Sequence, residues 1–203
     1  MEGSDEMSKS EKLEELIDEN HGYLITSQAV QRGFTKPFIS KYIKEHQMEK
    51  AAHGIYNSED VWQDELFILQ TRNQMIIYSG ETALYLHGLT DREYSKICFT
   101  VPRGYNASHM KNVNKDVRYV QKDIYELGVC MVESVSGNLV KAYDMEHCIC
   151  DLVKYRSSYE VQTFQTAMKE YMTHTQKDLS RLVAYAKKFG MRDEVMKYVE
   201  VMV

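Results

Sequence analysis

The sequence predicts an α+β protein, in which an N-terminal winged helix-turn-helix is followed by a larger mixed α/β domain with a helical C-terminal tail. Two short helical patterns meet at Gly33, a short extended pair follows them, and apolar extended segments then alternate with helical periodicity. The polar segment 57–60 separates the helix-turn-helix and its hairpin from the alternating extended and helical segments that follow. We therefore expect two domains, 1–58 and 59–203.

The first domain begins with an amphipathic pattern that predicts a helix over roughly 9–20, stopped by Gly22. Thr26 has the chemistry of an N-cap, which predicts a second short helix that ends at Gly33. A short helix, a glycine corner and a further helix form the arrangement by which small domains present one helix to the major groove of DNA.

The third helix is predicted to begin after Thr35, with Pro37 in its first turn, where a missing N–H is tolerated. Segments 48–51 and 54–56 then flank a turn and form a small hairpin, the wing. Three helices and a hairpin in this order predict a winged helix-turn-helix. The alternative interpretation of the same segment is a small helical bundle whose lysines only maintain solubility. The third helix has an apolar stripe that would pack on the first two helices and polar faces that would be exposed. The stripe consists of Phe38, Ile39, Tyr42, Ile43 and His46, and the polar faces contain Ser40, Lys41, Lys44 and Gln47.

The second domain combines helical and extended patterns, which predicts a mixed sheet covered by helices. Ser79 and Asp144 stand at expected N-caps, and segment 136–138 has the composition of a hairpin turn. In chain order we expect a helix at 62–72, a strand at 75–78, a helix at 79–87, strands at 96–101, 117–121, 129–135 and 139–143, a helix from 144, and three helices at about 159–173, 177–189 and 192–202.

Composition indicates a cytoplasmic protein. The net charge is −5, the segment 1–10 is polar and acidic rather than a secretory signal, and no apolar run approaches the roughly 18 residues that span a bilayer. The charge is uneven, because segment 1–30 is strongly acidic whereas segment 31–50 has an excess of lysine and arginine. A local basic face can attract phosphate even on an acidic protein, because salt screens distant charges.

The four cysteines lack paired CxxC spacing and lie in apolar surroundings, so we expect free, buried thiols. Cys148 and Cys150 point apart on a helix and cannot easily share a metal, and we expect His147 beside them at the surface. The cysteines are Cys98, Cys130, Cys148 and Cys150.

Two groups of side chains are candidates for catalysis. Glu81, His87 and Asp91 resemble an acid/base set, but His87 is better explained as a helix-ending residue whose partly positive ring favours the helix dipole. The chain has no nucleotide-binding, zinc-protease or nucleophile-elbow motif. We expect no catalytic residues, cofactor or metal. A rival enzyme would have to use the acidic group Asp144, Glu146 and Asp151, two of which we interpret as helix-capping and helix-surface residues.

The chain resembles the AbiEi-type antitoxins of bacterial abortive-infection toxin–antitoxin systems. The resemblance covers about residues 8–157 and is carried by several blocks after the helix-turn-helix. These blocks are HGIY at 53–56, DELF at 64–67, IYSGETALYLHGLTDR at 77–92, FTVPRGYN at 99–106 and CDL at 150–152.

The resemblance implies a cytoplasmic, non-enzymatic antitoxin that represses its own operon. Its partners would be promoter DNA with repeated sites, bound cooperatively by a monomer or weak dimer, and a nucleotidyltransferase-like toxin; no membrane partner is expected. Carried over by position, the residues that face DNA are Thr35, Lys36, Ser40, Lys41 and Lys44, with Lys50 and His53 on the wing.

Family wings often have arginine where this chain has His53, and histidine is largely uncharged near pH 7. One copy should therefore bind modestly and with strong salt dependence. The alternatives are a ligand-responsive transcriptional regulator and a nucleic-acid-processing enzyme.

Overall fold

The computed structural model describes residues 7–110 and 114–202, and the chain forms two compact units. In the described ranges, the first unit runs to Arg72 and also contains Ser134–Asn138, while the second contains Asn73–Glu133 and the chain from Leu139. The first unit therefore extends past the boundary placed after residue 58. Residues 1–6 of the predicted acidic start lie outside the described ranges.

The first unit is a winged helix-turn-helix, as predicted. Its three strands form an antiparallel sheet in the order β1-β3-β2. The elements are α1 (Lys9–Glu19), β1 (Tyr23–Ile25), α2 (Thr26–Gln31), α3 (Lys36–Glu45), β2 (Glu49–Ala52), β3 (Ile55–Asn57) and α4 (Glu65–Arg72).

Strand β1 was not predicted, because its sequence was interpreted only as a break between helices. All three of its residues are buried, and Leu24 pairs with Tyr56 of β3. A strand that is buried on both faces has no alternation of apolar and polar residues, so periodicity does not reveal it.

The core of the first unit lies between helices α1, α2 and α3 and the sheet. Side chains from α1, β1, α2 and α3 close it almost completely to solvent, and Phe34, Phe38, Ile43 and Tyr56 pack at its margin. The burial of this apolar surface is the main stabilising contribution. The buried members are Leu13, Leu16, Ile17, Leu24, Ala29, Ile39, Tyr42 and Met48.

The turn between α2 and α3 depends on Gly33, whose φ of +92° is a conformation that L side chains rarely adopt. The Phe34 N–H donates to the Ala29 carbonyl at 3.0 Å and so closes the end of α2. The predicted caps were partly wrong: Ile25, not Thr26, precedes α2, and Thr35 precedes α3 without a side-chain cap bond.

The second unit contains a five-stranded mixed sheet in the order β6-β5-β4-β8-β7, as the sequence predicts for this domain. Pairs β4–β8 and β5–β6 are parallel, and pairs β4–β5 and β7–β8 are antiparallel. The elements are β4 (Ile77–Tyr78), α5 (Gly80–Leu86), β5 (Ile97–Pro102), β6 (Lys115–Val120), α6 (Lys122–Tyr125), β7 (Val129–Glu133), β8 (Leu139–Tyr143), α7 (Met145–Lys154), α8 (Val161–Thr173), α9 (Leu179–Lys188) and α10 (Arg192–Met202), with short 3-10 helices at Ser108–Met110 and Arg156–Ser158.

Helix α7 is the central helix of the second unit, because every residue from Met145 to Val153 is buried. Asp144 caps it as predicted, since its Oδ1 accepts from the His147 N–H at 2.9 Å. Ser79 precedes α5 without a side-chain cap bond, because its hydroxyl instead accepts from Thr100 at 2.9 Å. None of the helices in the described ranges is both long enough and apolar enough to cross a membrane.

Candidate nucleic-acid interface

Helix α3 has one face in the core and one face in solvent. Ile39 and Tyr42 are buried, whereas Lys36, Ser40 and Lys44 are exposed. Because these three exposed residues are four apart, they lie in one row along the helix. Lys41 is exposed in the adjacent row, and Thr35 is exposed immediately before the helix.

The exposed face of α3 is basic. Lys41 forms an exposed ion pair with Glu45 at 3.5 Å, a pairing that contributes little in water. Lys36 and Lys44 form no ion pair with any residue in the described ranges. Two ammonium groups in one row that have no ion pair among the described residues, with the Ser40 hydroxyl between them, present cations and a hydrogen-bonding group suited to phosphate and base edges.

The wing supplies the other two predicted residues. Lys50 is exposed on β2 opposite Tyr56, and His53 is exposed in the turn between β2 and β3. Gly54 allows this tight turn at a φ of +74°. The Thr26 N–H donates to the Gly54 carbonyl at 2.8 Å, which fixes the wing turn against the start of α2.

Two hollows in the first unit adjoin the N-terminal end of α3. The α2–wing hollow, of about 600 Å³, brings together Lys36, His53, Gln31 and Arg72. The structure thus places two predicted residues in one concavity. It also adds Gln31 and Arg72, which sequence reasoning missed. Arg72 could have been noticed in the sequence as a basic residue in the last turn of the helix that became α4. Only the fold shows that it lies near Lys36 and His53.

The α1–α3 hollow, of about 280 Å³, contains Thr35. Its cationic residues are Lys9, Lys12 and Arg32, none of which sequence reasoning assigned to the site. The rings of Phe34 and Phe38 stack at 5.9 Å between centroids and form its apolar wall. Arg32 forms an ion pair with Glu19 at 2.9 Å, so its charge is partly neutralised.

The acidic residues of α1 interact with the opposite margin of α3. The Tyr42 hydroxyl lies 3.5 Å from Glu14, and burial, together with the Glu14 carboxylate, raises the pKa of Tyr42 to about 12. Tyr42 is on the buried face of α3. The Glu14 carboxylate therefore lies beside the buried face of α3.

In the second unit, the candidate catalytic carboxylates are bonded within the protein. The expectation that Glu146 lies on a helix surface was wrong, because it is 1% exposed. It accepts from the Tyr171 hydroxyl at 3.1 Å and from the Asp178 N–H at 2.9 Å, and Arg181 lies 3.6 Å away. Glu146 therefore joins α7 to α8 and to the start of α9.

Asp151 forms a buried ion pair with Arg118 of β6. Burial raises the pKa of Asp151, and the Arg118 guanidinium opposes that shift. Burial acts to lower the pKa of Arg118, but the Asp151 carboxylate raises it above its ordinary value. The guanidinium also lies 4.6 Å from the centre of the Tyr155 ring and donates to the Tyr159 hydroxyl at 3.2 Å. The pair thus anchors α7 to the sheet.

Burial disfavours the charged form of both histidines of the candidate sites in the second unit. His147, expected at the surface, is 2% exposed, and its Nδ1–H donates to the Leu127 carbonyl at 2.7 Å. Burial lowers its pKa to about 3. His87 ends α5, as expected; burial lowers its pKa, which disfavours the expected partial positive charge, and its Nε2 lies 2.7 Å from the Tyr143 carbonyl.

The cysteines are free thiols, as expected, and Cys98, Cys148 and Cys150 are buried while Cys130 is half-buried. The Cys148 thiol contacts the Tyr143 carbonyl, whereas the Cys150 thiol contacts the Leu182 carbonyl. They point to different neighbours, as their spacing on a helix predicts. Burial raises the pKa of Cys98 and of Cys130 to about 11, which favours the protonated thiol over the reactive thiolate at neutral pH.

The fold defines a class of protein in which a winged helix-turn-helix is joined to a mixed α+β unit. No family model matches the chain, and no match was found among curated proteins. Among solved structures, the chain is similar to the RV2827C protein of Mycobacterium tuberculosis, with a TM-score of 0.52 and 10% identity. The likeness covers 96% of this chain and 82% of that one, and at this identity it shows a shared fold.

Proposed function

We propose that the protein is a repressor that binds double-stranded DNA through its winged helix-turn-helix. The observation that carries the proposal is the exposed row of Lys36, Ser40 and Lys44 on α3, a helix whose other face is fixed in the core. A rigid helix with a cationic, hydrogen-bonding face has the form required to enter the major groove. The exposed wing, with Lys50 and His53, supports the same proposal.

In the proposed complex, the lysines bind phosphates and the polar side chains near the start of α3 contact base edges. Ser40 and Thr35 are the candidates for base contacts, because their hydroxyls are exposed and both donate and accept hydrogen bonds. The protein as a whole has a net charge of −5, so the attraction must come from this local face. Binding should therefore weaken steeply as salt rises.

We further propose that this repressor is a cytoplasmic antitoxin that controls its own operon and neutralises a nucleotidyltransferase-like toxin. The support for this part is the sequence resemblance to AbiEi-type antitoxins. The second unit would then contact or counteract the toxin, while the first unit regulates synthesis. Repeated operator sites filled cooperatively by a monomer or weak dimer would offset a modest affinity of each copy.

The DNA-binding proposal is tested by changing Lys41 and Lys44 to glutamate and measuring binding to the protein's own promoter at fixed salt. We expect at least a tenfold fall in affinity, because two cations that neutralise phosphates are replaced by anions that repel them. The matched control changes Lys122 and Lys169 of the second unit to glutamate, which gives the same net charge. Unchanged affinity of the α3 variant would refute the recognition-helix assignment.

The antitoxin proposal is tested by co-expression with the product of the adjacent gene. If that product arrests growth by itself, we expect this chain to restore growth, and the second unit to be required for the rescue. A variant that no longer binds DNA should still rescue when it is expressed from an unrelated promoter. Failure of the intact chain to relieve toxicity would contradict the antitoxin role and leave DNA binding untouched.

A further inference from the structure

The N-terminal end of α3 is surrounded by cations that come from other elements of the first unit. Thr35 and Lys36 are consecutive in sequence, yet Thr35 lines the α1–α3 hollow and Lys36 lines the α2–wing hollow. The two hollows therefore both border this end of the helix. Lys9 and Lys12 lie in the first, and Arg72 lies in the second.

We propose that the two hollows hold the two phosphate backbones that border the major groove at the site of α3. Lys9 and Lys12 would bind one backbone, and Arg72 with Lys36 would bind the other. The inference rests on the proposed DNA-binding function, and it extends the interface from α3 and the wing to α1 and α4.

The geometry of a groove gives the physical reason. The major groove is about 12 Å wide, close to the diameter of a helix with its side chains, so a helix inside it has a sugar–phosphate backbone on each side. Residues that approach the N-terminal end of such a helix from two directions face those backbones. Contacts to both backbones fix the position and angle of the helix but carry no sequence information themselves.

The charges in the α1–α3 hollow are accessible to phosphate. Among residues in the described ranges, neither Lys9 nor Lys12 forms an ion pair, whereas Arg32 is held by Glu19 at 2.9 Å. Both lysines are exposed on the first two turns of α1, where Ser8 and Glu11 form a capping box. The capping box fixes the start of the helix and therefore the positions from which the two lysines extend.

The α2–wing hollow lies between the two parts of the unit that would enter adjacent grooves. With α3 in the major groove and the wing turn in the neighbouring minor groove, one backbone must pass between them. The residues at that place are Lys36, His53 and Arg72. Arg72 is exposed at the end of α4, has no ion pair within the described part of the chain, and has a planar guanidinium that can contact a phosphate with two N–H groups.

The proposal is tested with two variants of the full chain, Lys9→Gln with Lys12→Gln, and Arg72→Gln. Binding to a promoter duplex and to a scrambled duplex is measured over a salt series. We expect the slope of log affinity against log salt to fall by about 0.9 for each phosphate that the variant no longer neutralises, while the preference for the promoter stays the same. The matched control, Lys122→Gln with Lys169→Gln, should keep the wild-type slope.

Hydroxyl-radical footprinting then assigns the strands. The α1 variant should lose protection on one strand, and the Arg72 variant on the other, at positions that flank the α3 contact. Wild-type slopes and footprints in both variants would overturn the two-backbone arrangement while leaving DNA binding in place. Loss of protection on the same strand in both variants would also overturn it. If the wild-type chain binds neither duplex, the proposed function itself fails, and this inference fails with it.

Discussion

At the scale of single residues, helix α7 is where the surroundings of side chains differ most from those that the local sequence suggests. His147 stacks on Tyr143 with 3.5 Å between ring centroids, contacts Phe189 edge-on, and donates to the Leu127 carbonyl. A polar residue in a helical pattern is most simply assigned to the surface. The partners of Glu146 follow α7 in sequence, and those of His147 lie both before and after the helix, so the helical pattern alone could not predict that either side chain is buried.

The neutral state of His147 predicts a pH dependence of stability. Its pKa is about 3 in the folded protein, whereas an unfolded chain has a value near 6.5. Below about pH 6.5 the unfolded state therefore binds a proton that the folded state excludes, and the free energy of unfolding falls by up to about 1.4 kcal/mol per pH unit until about pH 3. The stabilisation is fully present above pH 6.5.

This dependence is checked by urea unfolding of the wild type and His147→Gln between pH 7 and pH 4. Glutamine keeps a donor for the Leu127 carbonyl but does not titrate, so the variant should show a shallower decline. The exposed His53, changed to glutamine, is the control and should preserve the wild-type slope. Parallel curves for wild type and His147→Gln would contradict the assigned pKa.

Because Arg118 and Asp151 form a buried ion pair, the effects of their substitutions on the free energy of unfolding should not be additive. Arg118→Met leaves the Asp151 carboxylate buried without its partner, and we expect the free energy of unfolding to fall by about 3–5 kcal/mol. Arg118→Met combined with Asp151→Leu removes both charges and should recover most of that stability. Urea unfolding of the two single variants and the double variant gives the coupling energy, and simple additivity would contradict a buried, mutually dependent pair.

At the scale of elements, the helices of the winged helix-turn-helix were predictable because their signals are local. The glycine corner at Gly33, the proline in the first turn of α3 and the apolar stripe all lie within a few residues of one another. Strand β1 and the one-turn helix α6 were missed, since three or four residues contain too little periodicity to identify an element. The basic face of α3 was predictable because its residues are also close together in sequence. The positions of Lys9, Lys12 and Arg72 near the start of α3 are shown only by the fold.

The division of α3 into a buried face and an exposed face, which we propose binds DNA, predicts different effects from neighbouring residues. Ile39 is 1% exposed in the core, so Ile39→Ala should lower the free energy of unfolding by about 2–5 kcal/mol. Ser40→Ala should change stability by less than about 0.5 kcal/mol but should reduce the preference for the promoter over scrambled DNA. Unfolding and binding are measured on the same samples. A large loss of stability in Ser40→Ala would contradict the assignment of the faces.

At the scale of the whole molecule, the α+β class follows from the alternation of patterns, but the extent of each unit does not. The turn Ser134–Asn138 belongs to the first unit because Asp64 accepts hydrogen bonds from Ser134 and, at 2.9 Å, from Asn138. These partners are 70 and 74 residues from Asp64 in sequence. A boundary placed by a local change in composition after residue 58 cannot include a contact of that range.

The net charge of the chain makes specific binding a demanding test of the proposed function. A protein with a charge of −5 has little general attraction for DNA, so measurable affinity must come from the face formed by α3, the wing and the two hollows. The direct measurement is fluorescence anisotropy of the intact chain with its own promoter duplex and with a scrambled duplex of equal length, over a salt series. We predict preferential binding to the promoter that weakens steeply with salt. Equal binding to the two duplexes would contradict the repressor role, and absence of binding to both would contradict DNA binding itself.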